Sequence, residues 1–158
     1  NGIENYNLYN TAAGSITGKA KFLLSGRSNL SSFIEREDLT GEEVDVDVIR
    51  LEDFLKDKKV DFIRMDVEGY EGEILKGAEG ALASGNRPKY FFIEVHSDLL
   101  HKKNSSCADI VNFLAKYGYE VKKGFWRGKD TVSVNSIKEM MAHPLLEIGY
   151  WETFFELK

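Results

Sequence analysis

Two periodicities alternate along this chain, and their order sets the expected fold. Phe62-Ile63-Arg64-Met65 is a short apolar run that predicts a buried strand, broken by Asp66, Glu68 and Gly69. Ile74, Leu75, Ala78 and Leu82 follow at helical spacing, so Val60–Leu82 reads as strand, acidic turn and amphipathic helix. Lys89–Val95 predicts a second apolar strand, ending at His96-Ser97-Asp98. Ser106–Tyr117 predicts a helix with Ile110, Val111, Phe113 and Leu114 inward and Gly118 beyond its end.

Upstream, Asn1–Ala13 reads as a short strand closing in a polar turn, and Lys19–Leu24 as another. Ser25–Glu43 has no sustained period and reads as a surface excursion with a charge cluster at Glu35–Asp38. Val44, Val46 and Val48 alternate with Asp45 and Asp47, the mark of a half-exposed strand, and Leu51–Lys58 reads as a short helix. Downstream, Tyr119–Lys122 starts a strand, Phe125–Asp130 reads as a turn-rich segment and Thr131–Val134 as a short strand. Ile137–Met141 reads as a helical turn and Tyr150–Leu157 as a final strand. The order predicts an α/β fold with a mostly parallel sheet and an antiparallel C-terminal edge. No repeat or linker divides the 158 residues, so residues 1–158 are expected to form a single domain.

Composition narrows the partners. A net charge of −5 argues against an extended nucleic-acid surface. No apolar run approaches the roughly 20 residues needed to span a bilayer. The single cysteine, Cys107, allows no internal disulfide and fits a reducing, cytoplasmic compartment. It opens a helical pattern and reads as a helix residue, not as a nucleophile. Trp126, Arg127 and Lys129 on one segment suit either an acceptor-binding lip or a packing contact, including one between copies in a homo-oligomer.

Candidate chemistry gathers where the apolar strands end, because ligands of open α/β sheets bind beyond the carboxyl ends of their strands. Asp66 is the first candidate, as a base or metal ligand. Glu68 is the second, although a carboxylate near a helix N-terminus is also favourable by about 0.3–1 kcal/mol without chemistry. Glu71 and Glu73 read as first-turn acids. In a parallel sheet His96 would lie beside Asp66 and supply a base that titrates near neutrality. Glu94 alternates with His96 and shares its side of the strand. The three histidines show no zinc-ligand spacing.

The block Ile63-Arg64-Met65-Asp66-Val67-Glu68-Gly69-Tyr70-Glu71, followed by Ile74-Leu75-Lys76-Gly77-Ala78, resembles the FkbM family of S-adenosylmethionine-dependent methyltransferases. Ala12-Ala13-Gly14 with Gly18, Arg50-Leu51-Glu52-Asp53-Phe54-Leu55 and Ile93-Glu94-Val95-His96 resemble further parts of its pattern, from about Ala12 to Val121. The resemblance implies a class I methyltransferase-like (Rossmann-like) sheet of order 3-2-1-4-5-7-6. It implies S-adenosylmethionine as cofactor and Asn10, Thr11 and Ala12 near the adenine, while the strand-end carboxylates themselves make Mg²⁺ a further candidate. It also implies methyl transfer to a small-molecule or sugar hydroxyl, with Asp66, Glu68 and His96 on the acceptor side.

One departure stands out. The sequence has no Gly-x-Gly turn to carry the methionine part of the cofactor. The chain is therefore expected to lack the first two strands of the domain, and roughly 60 to 100 upstream residues are expected to supply them. The strand at Phe62–Met65 would otherwise be an exposed edge. A metal-dependent phosphohydrolase using Asp66 and Glu68, and a non-catalytic methyltransferase-like module, stand as alternative readings.

Overall fold

The computed structural model describes residues 2, 4–25, 31–34, 40–128 and 132–158. The expected cluster Glu35–Asp38, Lys129, and the first residue of the expected strand Thr131–Val134 lie outside them. The architecture is α/β, with two sheets. The smaller holds β1 (Ala12–Gly14), β2 (Gly18–Ser25) and β3 (Gly41–Arg50) in the order β1-β3-β2. The larger holds β4 (Phe62–Met65), β5 (Tyr90–His96), β6 (Tyr119–Arg127), β7 (Val132–Val134) and β8 (Tyr150–Leu157) in the order β4-β5-β8-β6-β7.

The valine–aspartate alternation of β3 works as its period requires. Val48 is buried, while Asp45 and Asp47 stay exposed and meet Lys21 at 3.0 Å and Lys19 at 2.9 Å across the antiparallel ladder with β2. Such exposed pairs add at most about 1 kcal/mol each and mainly keep the outer face wet. In contrast, among the described residues of the expected strand over Asn1–Ala13, only Ala12 and Ala13 are strand, at the start of β1. Tyr6, Leu8 and Tyr9 are 69%, 89% and 54% exposed. An alternating segment becomes a strand only where it finds a ladder partner and a surface to cover.

β4 occupies the expected residues but is not the expected buried strand. Only Met65 is buried, and Phe62 is 49% exposed. Among the described residues β4 pairs with β5 alone, in parallel register from Phe62↔Tyr90 to Met65↔Ile93, so its other edge is open. The larger sheet also departs from the mostly parallel arrangement. The β5–β8, β8–β6 and β6–β7 ladders are all antiparallel. The physical reason lies in β8. It is the last strand, and it inserts between β5 and β6, where both of its edges find ladders and Trp151 and Phe155 are fully buried. Phe125–Arg127, expected as a turn, continues β6 because β8 and β7 flank it on both sides.

Helices cover the strands with their apolar stripes. They are α1 (Leu51–Leu55), α2 (Glu71–Lys76), α3 (Glu79–Ala83), α4 (Ser97–Leu100), α5 (Cys107–Lys116) and α6 (Ile137–Met141). α5 starts at Ser106, whose Oγ accepts the Asp109 amide at 3.1 Å, an N-cap that spares the helix an unpaired donor. The single helix expected after Gly69 is split at Gly77-Ala78 into α2 and α3. There the main chain passes against β1 so closely that a Cβ on Gly77 would lie 1.8 Å from the Gly14 carbonyl oxygen. The Glu52 amide donates to the Gly77 carbonyl at 2.8 Å, and Glu52 Oε2 accepts the Gly80 amide at 2.7 Å.

Gly77 thus fits β1 against the helices of the larger sheet. Gly77→Ala is expected to cost about 1–3 kcal/mol through forced displacement of that contact. Urea unfolding should show a lower midpoint with unchanged slope.

Candidate functional site

Parallel pairing of β4 and β5 brings their carboxyl ends side by side. Asp66 leaves β4, and His96 is the last residue of β5. Glu68 follows in the turn with φ 52°, and Gly69 with φ 93°. Two left-handed residues in succession fold the turn back over the strand ends. A non-glycine residue in that region costs roughly 1–2 kcal/mol. Gly69 is required by space as well as by conformation, because a Cβ there would meet the Leu99 Cβ at 2.5 Å. The result places ligand-type atoms of Asp66, Glu68 and His96 all within 4.8 Å of one another.

Glu71 holds this cluster from behind. Its carboxylate has no solvent exposure, and Oε1 lies 2.8 Å from His96 Nδ1 while accepting the Gly69 amide at 3.1 Å. With Nδ1 engaged, His96 turns Nε2 toward Glu68 Oε1 and Glu94 Oε1, each at 3.8 Å. Tyr150 stacks on the imidazole with ring centroids 5.7 Å apart. Burial alone would lower the imidazole pKa. The hydrogen bond and charge of Glu71, with Glu68 and Glu94 beyond, outweigh burial and hold it above its ordinary value. Burial, and then the charge of Asp66, push the Glu94 carboxyl upward.

The role of Glu71 is the main point missed in the sequence, where it read as a first-turn acid. Helical spacing did carry the signal. Glu71 stands three, four and seven residues before Ile74, Leu75 and Ala78, on the same inward stripe. An acid on a buried stripe needs a partner.

Asp66 also lines a cavity of about 430 Å³ between the two sheets, with Ala12, Phe22, Phe33, Ile63 and Tyr70 among its walls. Asp66 pairs with Arg64 at 2.9 Å. Of the three residues expected near an adenine, only Ala12 borders this cavity. Asn10 and Thr11 line a separate one of about 280 Å³ beside Asp45 and Asp47, which Ala12 also reaches. On the far side of His96, Trp126, Arg127, Tyr150 and Glu152 line a cavity of about 560 Å³. Cys107 takes no part in any of these. It is fully buried, and burial pushes its thiol up to about 12. Among the described residues no helix is long and apolar enough to cross a membrane.

A carboxylate–histidine cluster thus lies beyond the carboxyl ends of two parallel strands of an α/β fold, the place where such sheets bind ligands. Comparison with known families then gives a match to the methyltransferase FkbM domain over residues 1–121, and the chain belongs to that methyltransferase family. Neither the curated proteins nor the solved structures compared with it give a match.

Two measurements probe the site's framework. Glu71→Ala is expected to destabilise the fold by roughly 3–5 kcal/mol, since it strips a buried pair of one member. Glu71→Gln, which keeps an oxygen to accept the Gly69 amide, is expected to lose less in the same urea titration. Thiol reagents at pH 8 should modify Cys107 only as fast as the protein unfolds, with the rate rising in step with denaturant.

Proposed function

We propose that the protein is an S-adenosylmethionine-dependent O-methyltransferase acting on a hydroxyl of a sugar or similar polyhydroxylated small molecule. The observation that carries this reading is the convergence of Asp66, Glu68 and His96 from two adjacent strand ends in a chain of the FkbM family. The strand order β4-β5-β8-β6, with β8 inserted antiparallel, supports it as the 4-5-7-6 part of the sheet the family resemblance implies.

The chain's residues fit one flank of the cofactor. The cavity between the sheets has apolar and aromatic walls and Asp66 at the cluster side, the composition that suits a nucleoside. Ala12, Phe22, Phe33 and Ile63 would hold it there. When bound, S-adenosylmethionine supplies an electrophilic methyl group. Everything else falls to the protein's own groups.

Trp126 and Tyr150 offer flat apolar faces to a sugar ring, and Arg127 and Glu152 offer polar partners to its hydroxyls. Tyr150 stacks on His96, so this cavity borders the cluster, where one acceptor hydroxyl would enter. Asp66, Glu68 and His96 orient that hydroxyl and draw off its proton as the oxygen becomes nucleophilic. Glu71 fixes the His96 ring and its tautomer by engaging Nδ1.

Transfer of label from methyl-tritiated S-adenosylmethionine to a panel of glycosides and polyols tests the reading. The wild type is expected to label at least one hydroxyl acceptor. Asp66→Asn is expected to lower kcat about 100-fold, with the circular dichroism spectrum unchanged. Absence of transfer to every acceptor, together with no calorimetric binding of S-adenosylhomocysteine, would sink the assignment.

A further inference from the structure

We propose that Asp66, Glu68 and His96 form a binding site for one divalent first-row cation of the Mn²⁺ type. The first support is geometric. Three ligand-type atoms lie within 4.8 Å of one another, close enough for small side-chain adjustments to bring them onto one ion at about 2.1 Å from each.

The second support is the state of His96, a buried imidazole held at one nitrogen and presenting the other to the cluster. The residue is 8% exposed, and its Nε2 has no hydrogen bond among the described residues. Nε2 points instead at two carboxylate oxygens, Glu68 Oε1 and Glu94 Oε1, each 3.8 Å away. That separation is too long for a hydrogen bond but is ordinary for two ligands of a shared ion. Nδ1 meanwhile is held at 2.8 Å by a carboxylate that is itself wholly buried. A histidine fixed at one nitrogen by a buried carboxylate and presenting the other to oxygen ligands is the usual arrangement around a metal-bound imidazole. Glu71 Oε2 adds a buried oxygen without a hydrogen-bond partner directly behind it.

The donor set decides the class of ion. Two carboxylate oxygens and one imidazole nitrogen suit a cation between the hard all-oxygen ions and the thiolate-seeking ones. Cys107, the chain's single cysteine, is fully buried and outside the cluster, so no sulfur enters the set. Three protein ligands leave coordination positions for water or for a substrate oxygen. A cation placed there would lower the pKa of a bound hydroxyl and orient it, so the site deepens the acceptor reading above and rests on it for its role, though not for its existence.

Manganese alone is the probe, without donor or acceptor. Titration of the full chain with Mn²⁺, followed by the electron paramagnetic resonance signal of the free ion, is expected to show one bound ion per chain. Glu68→Gln, a substitution in the turn expected to leave the fold intact by circular dichroism, should weaken binding at least tenfold, and His96→Gln likewise. Glu71→Gln should weaken it about tenfold while contacting no ion, as an outer partner does. The double variant Asp45→Asn with Asp47→Asn, which removes exposed carboxylates elsewhere, should bind as the wild type does. No bound ion at millimolar Mn²⁺, or binding unchanged in folded Glu68→Gln and His96→Gln, overturns the proposal. Methyl transfer that persists undiminished in EDTA, with no Mn²⁺ bound, would overturn the cation while leaving the methyltransferase reading in place. One ion bound by a protein that transfers no methyl group would do the reverse.

Discussion

A carboxylate removed from water must gain a charged or hydrogen-bonding partner, or give up its charge. In this fold Glu71 faces that constraint with no exposure at all, and its partners tie three segments together. It accepts the Gly69 amide in the turn after β4 and engages His96 at the end of β5, while its own main chain begins α2. The turn conformation, the imidazole orientation and the seat of the helix on the sheet therefore depend on one another. The left-handed backbone at Glu68 belongs to the same arrangement. A strained residue persists only where its surroundings over-determine it. Here Gly69, packed against Leu99, and the Glu71 carboxylate fix the chain on the far side of the strain.

That mutual dependence explains how a partly exposed edge can carry an ordered site. β4 has a single ladder partner among the described residues, and most of its side chains reach solvent. Its position is fixed instead at its carboxyl end, where Met65 is buried and the turn is locked to β5. The open side of β4 faces the cavity shared with β1 and β2. The edge strand thus presents side chains both to that cavity and to the carboxylate–histidine cluster, with Asp66 common to the two.

The sequence made the placement of Asp66, Glu68 and His96 readable because two apolar runs of strand length end in them, and parallel neighbours align their ends. Strands β2 and β3, α5 and β8 were readable for a similar reason, since each carries a period of its own, although the pairing of β2 with β3 was not. What escaped was whatever depends on a distant partner. Asn5 to Leu8 alternates as a strand does yet has no ladder among the described residues. Phe125–Arg127 has the glycine-flanked composition of a turn yet is held as strand by β8 and β7. The break at Gly77 follows from the approach of the Gly14 carbonyl, 63 residues earlier in the chain, which no local window contains. Glu71 lies between these cases. Its place on the apolar stripe was visible, but only the histidine across the sheet shows why an acid belongs there.

The site's two cavities follow from the same topology. Because β8 returns between β5 and β6, its first residue, Tyr150, sits opposite both His96 and Arg127. This register sets an aromatic ring beside the imidazole and opens the Trp126 cavity on the side away from β4. Because β4 is at the sheet's edge, the second cavity opens on the other side, toward β1. A parallel strand in the place of β8 would put the opposite end of its chain beside His96 and remove that aromatic face. The antiparallel return is therefore more than a way to close the sheet. It places the cluster between two chemically distinct walls, one aromatic and charged, the other largely apolar.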